Sequence, residues 1–311
     1  MYIRYNAGMR TSYEHNGILW IDLESPTQDD VRSVVDQFGI PTMVAEELLL
    51  PSTKPRAEFY NSFVYIILHF PTLRHSHRSV EQEVDFVVGR NFIITTHYDI
   101  VDPLHKFSKV FEVNSILDRS NIGNHAGYFL FYMLKKLYKG VEHEVERVRH
   151  HLGTVEGDIF SGHEVGMVEA LSKTARDLLN LRQTIEPHRE VLRTIESEGA
   201  KLFGDDFMPY LRALSNDYYR VHNHVMRNTE SLHELRETNN SLLSTKENET
   251  MRVLTIMALL TFPLALLVSI LDIDSAYNPV KGAPYDFWII AGIVLVLGAC
   301  MIAYFKHKKW F

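Results

Sequence analysis

The sequence predicts an N-terminal α/β domain, a long all-helical middle and two C-terminal membrane spans. Three observations predict this. Short β-rich runs are confined to the first 120 residues, an amphipathic helical pattern after Asp118 does not revert, and two apolar runs, Val253 to Leu271 and Phe287 to Phe305, carry no charged side chain. Each run is about 19 residues long, enough for a helix to cross a hydrocarbon core of ~30 Å. The alternative is a buried helix pair in a soluble protein. Core helices of that length usually interrupt their apolar face with polar residues, and two runs only about 15 residues apart read better as a membrane hairpin. Lys306, Lys308 and Lys309 follow the second span, whereas the loop 272–286 holds three Asp and one Lys. By the excess of cations on cytoplasmic flanks, the C-terminus and the large N-terminal part are cytoplasmic and the loop is outside. The chain is thus expected to be integral to the cell (inner) membrane.

Composition narrows the function classes. The N-terminal segment MYIRYNAGMRTSYEHNG has no apolar signal-peptide core. The lone cysteine, Cys300, lies inside the second span, so no intrachain disulfide forms and no thiol chemistry is indicated. A net charge of -7 with 39 acidic residues argues against a nucleic-acid partner and suits a protein that handles cations, although such a charge is ordinary for a soluble surface too. No nucleophile, base and orienting group form a recognisable triplet, and the glycines between Gly153 and Gly162 follow a helix and lack a P-loop Lys. Neither an enzyme nor a cofactor is expected.

In chain order, Ile18 to Leu23 is a strand candidate. Ser25 as N-cap, Pro26 at N1 and Asp29 and Asp30 in the first turn start a helix that ends near Gly39. A second short helix, Thr42 to Leu50, is closed by Pro51 and Pro55. Strand candidates follow at Ala57 to Tyr60, Ser62 to Phe70, Glu83 to Val88 and Phe92 to His97, the last two joined by a hairpin loop, Gly89 to Asn91. Beyond Asp118, Gly127 to Ile159 and Val165 to Ser197 read as an antiparallel helical hairpin, with breaks at Gly157 to Gly166 and Glu198 to Gly204 and a kink at Pro187.

From Pro209 no further Pro or Gly occurs until Pro263, so one helix can run from there to Leu271, roughly 60 residues or ~90 Å. Such a rod is not stable alone in water and predicts a homo-oligomer whose long helices bundle about an axis. Stepping back from the loop by three or four residues gives a stripe: Asp272, Ser269, Ala265, Phe262, Ala258, Leu254 or Thr255, Met251 and Asn248. With small or polar residues at several levels, it is either a close-packing seam or a pore lining.

The segment Asn248, Met251, Val253 to Ile256, Pro263-Leu264, and the end Tyr304-Phe305-Lys306 with Lys308-Lys309-Trp310, resembles the CorA family of pentameric magnesium channels. The similarity extends back through Pro209-Tyr210 with Arg212, the Thr184 to Pro187 turn, and the Trp20-Ile21 and Val64 to Ile66 strands, and so covers essentially the whole chain. The resemblance implies a homopentamer with an α/β cytoplasmic funnel (1–120), a long helical hairpin (121–204) and a stalk helix (205–250). It further implies a pore-lining first span (251–271), an extracytoplasmic loop (272–286), a second span (287–305) and a basic tail (306–311). The stripe becomes the pore, Met251 and Leu254 with Asn248 become the gate, and Lys306, Lys308 and Lys309 become a basic ring. The implied partners are membrane lipid and divalent cations, with the cation as substrate.

The family carries Gly-Met-Asn at the outer end of the first span, where an ungapped reading from Pro263 puts Asp272-Ile273-Asp274; the Asn of Tyr277-Asn278-Pro279 lies four residues later. Asp272 and Asp274 are taken as the positional equivalents, which leaves ion selectivity open. The alternative for both is a solvated helix end. The family's regulatory cation site has a stalk Asp that aligns with Ala213 here; Asp217 substitutes only with a shift in register, while Glu237 matches an acidic family position. The pairs His75 and His77, His150 and His151, and His222 and His224 read as solvated surface histidines, because residues at i and i+2 of a helix do not face each other. The sequence therefore points to a divalent-cation channel, with magnesium as the first expectation. A transition-metal (zinc, cobalt or nickel) transporter or exporter of the same architecture, and a membrane-anchored sensor or scaffold without flux, are the alternatives.

Overall fold

The structure, a computed structural model, describes residues 9–15, 17–52, 54–71, 81–98, 101, 103–105, 107, 124–273 and 285–308. The passage from β-rich to helical sequence near residue 120 lies outside the described residues. Residues up to Arg236 form one compact unit and those from Glu237 a second.

The first unit is built on a six-stranded mixed sheet of order β1-β2-β6-β5-β4-β3, from β1 (Met9–His15), β2 (Ile18–Glu24), β3 (Arg56–Phe59), β4 (Phe63–Pro71), β5 (Glu81–Gly89) and β6 (Phe92–His97). Only β2 and β6 run parallel; every other pair is antiparallel. The sequence reading has no counterpart to β1. MRTSYEH contains no apolar run because it is an edge strand, paired on one side only and largely exposed. In contrast, every residue of β4 is buried, as expected of a strand covered on both faces.

One face of the sheet packs on α1 (Gln28–Phe38) and α2 (Thr42–Glu47) through Ile21, Val31, Val34, Val44, Phe63, Tyr65, Ile67 and Val87. The expected start of α1 moves from Ser25 to Thr27. The Thr27 hydroxyl accepts the Asp30 N–H at 3.3 Å and the Asp30 carboxylate accepts the Thr27 N–H at 2.9 Å, a reciprocal cap that wins over a lone serine. Ser25 instead sits at φ 48° and donates its hydroxyl to the Tyr98 carbonyl at 3.1 Å. α1 ends at Gly39 in the left-handed conformation, where the sequence predicts it to end.

The other face of the sheet packs on α3 (Gly127–Phe160), α4 (Glu164–Ile185) and α5 (His188–Phe203). The helix expected over Val165 to Ser197 divides at Glu186-Pro187, since proline cannot continue the hydrogen-bond ladder. α5 then runs past Ser197 to Phe203. Gly199 is no break within it: a Cβ there would meet Leu211 Cδ1 at 2.6 Å, so the glycine lets the following helix approach closely. That helix, α6, spans Met208–Leu271 as 64 unbroken residues. Within the first unit it is held to α3 by Asn228, whose amide donates to the Val145 carbonyl at 3.0 Å, and by an Arg220–Glu142 ion pair at 3.1 Å.

A buried polar relay joins these layers. Tyr138 on α3 donates its hydroxyl to His188 Nδ1 at 3.0 Å, and His188 Nε2 donates to the His69 carbonyl of β4 at 2.7 Å. Full burial pushes the His188 imidazole down to about 4 from an ordinary 6.5. Its neutral form is therefore favoured in the fold, and the associated stability is complete above pH 6.5 and lost as pH falls towards 4. The shift amounts to something on the order of 3 kcal/mol. His188→Gln should lower the unfolding free energy at pH 7 by about 1 to 3 kcal/mol and flatten the loss of stability between pH 6.5 and 4, measured by thermal unfolding across that range. An unchanged acid slope in the variant would exclude His188 as its source.

Candidate functional site

The second unit contains the upper part of α6 and α7 (Asp286–His307). Both are long and apolar enough to cross a membrane, and their most hydrophobic windows are almost wholly unburied within one chain. Their sequences explain the helical state: threonine hydroxyls in and next to the span are satisfied internally, Thr255 donating to the Met251 carbonyl at 2.8 Å and Thr261 to the Met257 carbonyl at 2.9 Å.

The helix pair has a definite seam. On α6, Ile256, Leu260, Leu264, Leu267 and Leu271 recur every three or four residues and are buried or half-buried; on α7 the matching row is Ile290, Val294, Gly298, Met301 and Phe305. At the crossing, a Cβ on Gly298 would lie 3.6 Å from Leu264 Cδ1, so the small residue sets the approach.

The stripe singled out in the sequence occupies a different face. At 3.6 residues per turn, the mean direction of Met251, Leu254, Ala258, Phe262, Ala265, Ser269 and Asp272 lies roughly 155° from that of the seam. Ala258 is half-buried and the others are exposed, Phe262 at 75%, Met251 at 60% and Leu254 at 54%. The stripe is therefore not the contact between the two spans of one chain. Asn248 and, at the other end, Asp272 are exposed as well. Asp272 stands directly after α6 with its N–H on the Val268 carbonyl at 3.0 Å, which places a carboxylate at the negative end of the helix dipole. Asp274 lies outside the described residues. Lys306 and Lys308 are exposed at the end of α7, where cations complement its dipole; Lys309 lies outside the described residues.

A profile of the family described as CorA-like Mg2+ transporter protein matches residues 15–307. The chain belongs to that family. The cobalt/magnesium transport protein CorA of Thermotoga maritima is 25% identical over 293 residues, covering 94% of this chain and 83% of that protein. The zinc transport protein ZntB of Pectobacterium atrosepticum is 19% identical over 291 residues, covering 94% and 87%. In fold, the complete structure of the CorA magnesium transporter from Methanocaldococcus jannaschii superposes with a TM-score of 0.82 at 17% identity, covering 97% of this chain and 94% of that one.

The remaining candidates in this CorA-family chain fall on exposed or engaged positions. Asp217 accepts from Arg220 at 2.8 Å, so a cationic side chain already holds it, and Ala213 one turn earlier is half-buried. Glu237 is exposed. Among the described residues no group of three or more His, Cys, Asp or Glu is placed to hold a metal ion. His150 lies 3.4 Å from Glu146 and His222 rests on the Tyr218 ring; His75 and His77 lie outside the described residues.

Sequence reasoning missed a buried acidic group on the α2 side of the sheet. Glu83 accepts the Ser52 N–H on both oxygens, at 2.8 and 2.9 Å, and lies 2.9 Å from His69 Nε2 on the adjacent strand. Beside it, Asp85 is fully buried; burial first, and the charge of Glu83 second, push its carboxyl well above the usual range. The signal was present as acids at alternate positions 81, 83 and 85 of a strand that is otherwise apolar except for Gln82.

The face assignment has a direct test in a Cys300→Ser background. Single cysteines at Phe262, Ala265 and Ser269 should react with a water-soluble thiol reagent at least ~10-fold faster than cysteines at Leu260, Leu264 and Leu267, if a water path runs along the stripe. Equal rates on the two faces would remove the stripe as a pore candidate.

Proposed function

We propose that the chain forms a homopentameric channel for divalent cations, magnesium first among them, with α6 of each copy lining a central path and with both termini cytoplasmic. The observation that carries this reading is that the polar and small-residue stripe of α6 faces away from α7 and ends in Asp272. A face that combines Ser269 and Asp272 with exposed Phe262 and Leu254 suits neither lipid nor water alone. Closing five such faces about an axis gives each residue type a place. Family membership supports the same reading, as does the transport of magnesium named for the relatives with this fold.

The proposed mechanism needs no covalent chemistry, no catalytic residue and no resident cofactor. Magnesium gives up its water reluctantly, so a ring of Asp272 and Asp274 would first hold the hydrated ion by hydrogen bonds. Carboxylates ~7 Å apart in water repel by ~0.6 kcal/mol, while a divalent ion at a similar distance attracts each by about twice that. Occupancy of the mouth is thereby favoured. At the cytoplasmic end, Met251 and Leu254 would form an apolar constriction that blocks ions when it empties of water, with Asn248 meeting the ion beyond it. Lys306, Lys308 and Lys309 would form the basic ring on that side. With Ala213 in place of an acid and Asp217 tied to Arg220, cytoplasmic magnesium should close this channel only weakly, although Glu237 matches an acidic family position.

A second reading has its own observations. Carboxylate oxygens, unlike the amide of an asparagine, favour direct coordination, and one full-length relative is a zinc transport protein. Transport of zinc or cobalt, inward or outward, is that alternative.

The deciding experiment is flux into liposomes carrying the purified protein. Magnesium entry should fall at least ~10-fold in Asp272→Asn plus Asp274→Asn at micromolar ion, with partial recovery at millimolar ion as charge attraction ceases to matter. Competition with zinc, cobalt and calcium ranks the two transport readings. Absence of any cation flux in the parent protein would leave a membrane-anchored sensor or scaffold instead.

A further inference from the structure

The first unit carries a cleft outside the ion pathway. It lies between α5 and the start of α6, has a volume of about 280 Å3, and is lined by Arg189, Arg193, Glu196, Ser215, Tyr218 and Tyr219. Arg189 and Arg193 are one turn apart on the same helix face and are both exposed, an arrangement that sets like charges side by side. Arg189 also sits in the first turn of α5, where the helix dipole disfavours a cation. Among the described residues, neither guanidinium has a carboxylate within ion-pair distance.

The acids nearby are engaged elsewhere. Glu186 pairs with Arg182 at 3.4 Å, and Glu196 accepts from the Ser215 hydroxyl at 3.1 Å and lies 3.7 Å from Arg212. Glu190, on the same helix, does not line the cleft. Burial first, and the neighbouring Tyr219 second, push the Tyr218 hydroxyl up to about 12, with Arg189 pulling it down and Glu186 pushing it up.

Two guanidinium forks without a carboxylate partner and two phenols line one small concave space, so that several donors converge on it. We propose that this cleft binds a small soluble phosphate-type oxyanion, phosphate or pyrophosphate in size, bridging Arg189 and Arg193 of α5 to Tyr219 of α6. Guanidinium forks match such oxyanions in pairs of parallel hydrogen bonds, which selects them over a monovalent halide. A volume just below the usual range for ligand pockets suits an occupant of this size. The carboxylate of Glu196 bounds the site on one side and limits the charge it accepts. The proposal is independent of the channel reading, because every residue in it belongs to the first unit and none to the apolar helices.

The test uses the full-length protein in detergent, without magnesium and at fixed ionic strength, with pyrophosphate and inorganic phosphate as probes and phosphorus NMR line broadening as readout. Saturable pyrophosphate binding at submillimolar concentration is expected. It should weaken at least ~10-fold in Arg189→Gln plus Arg193→Gln and by less in Arg189→Lys plus Arg193→Lys, which keeps the charge and loses the fork. A charge-matched control, Arg176→Gln plus Arg227→Gln, should bind as the parent does. No saturable binding in the parent, or an equal loss in the control, overturns the proposal. Circular dichroism of each variant separates loss of the site from loss of the fold, and a glutamine pair that stays folded and binds like the parent overturns the proposal as well.

Discussion

The controlling constraint is that α6 passes from a water-exposed stretch to a membrane span without leaving a backbone group unpaired. Hydrocarbon offers no hydrogen bonds, so a crossing segment must satisfy every N–H and C=O within itself. The sequence complies over 64 residues with no glycine and two prolines, Pro209 in the first turn, where the N–H has no helical partner to lose, and Pro263 in the interior. Pro263 is the exception, and it withdraws one N–H from the ladder opposite the Leu259 carbonyl. Thr245, Thr250, Thr255 and Thr261 add hydroxyl bonds to carbonyls one turn back, so that polar side chains close to or inside the apolar run are satisfied by the helix that carries them. A helix this long and this polar on one side gains its stability from neighbours, and α3 supplies them only along the first unit.

Within the second unit, one seam uses up one face. Ile256, Leu260, Leu264, Leu267 and Leu271 against α7 leave the opposite side of α6 without an intrachain cover. Large apolar side chains such as Phe262 and Met251 on that side are ordinary against lipid, but Ser269 and Asp272 in the same row are not. A row that faces something both narrow and wet, as proposed, accommodates both kinds of side chain, and that argument rests on which face α7 occupies, not on the composition of the row.

That distinction marks the limit of what a single sequence discloses. The two charge-free runs and the Pro- and Gly-free stretch before them are legible because length and composition alone decide whether a helix can cross a membrane. The row of small and polar residues is legible too, but that it lies away from the second span depends on Gly298 approaching Leu264, 34 positions earlier in the chain. β1 stays hidden because an edge strand needs no apolar alternation. Ser25 misleads because the Thr27 and Asp30 pair caps more completely, and Gly199 misleads because a glycine chosen for close approach looks the same as one chosen to end a helix. The Glu83 and His69 pair is invisible until register sets the two strands side by side.

If aspartate takes the place of the family's neutral asparagine at the proposed outer mouth, the consequence goes beyond added charge. Asp272 stands where the α6 dipole already concentrates roughly half a negative charge, so the proposed ring is least stable when empty. An asparagine ring carries no such penalty and can wait for a hydrated ion. An aspartate ring instead draws a cation in and holds it, and the hold tightens with the ease with which the ion sheds water. Magnesium, which keeps its shell, is held at the distance of a water layer and can leave; a transition metal that exchanges water quickly binds the carboxylates directly and leaves slowly. On this argument the proposed mouth would rank divalent ions by dehydration, and the proposed apolar constriction of Met251 and Leu254, which offers no ligand, would rank them again in the opposite sense, because an ion that has given up its water has least to carry it through a dry constriction.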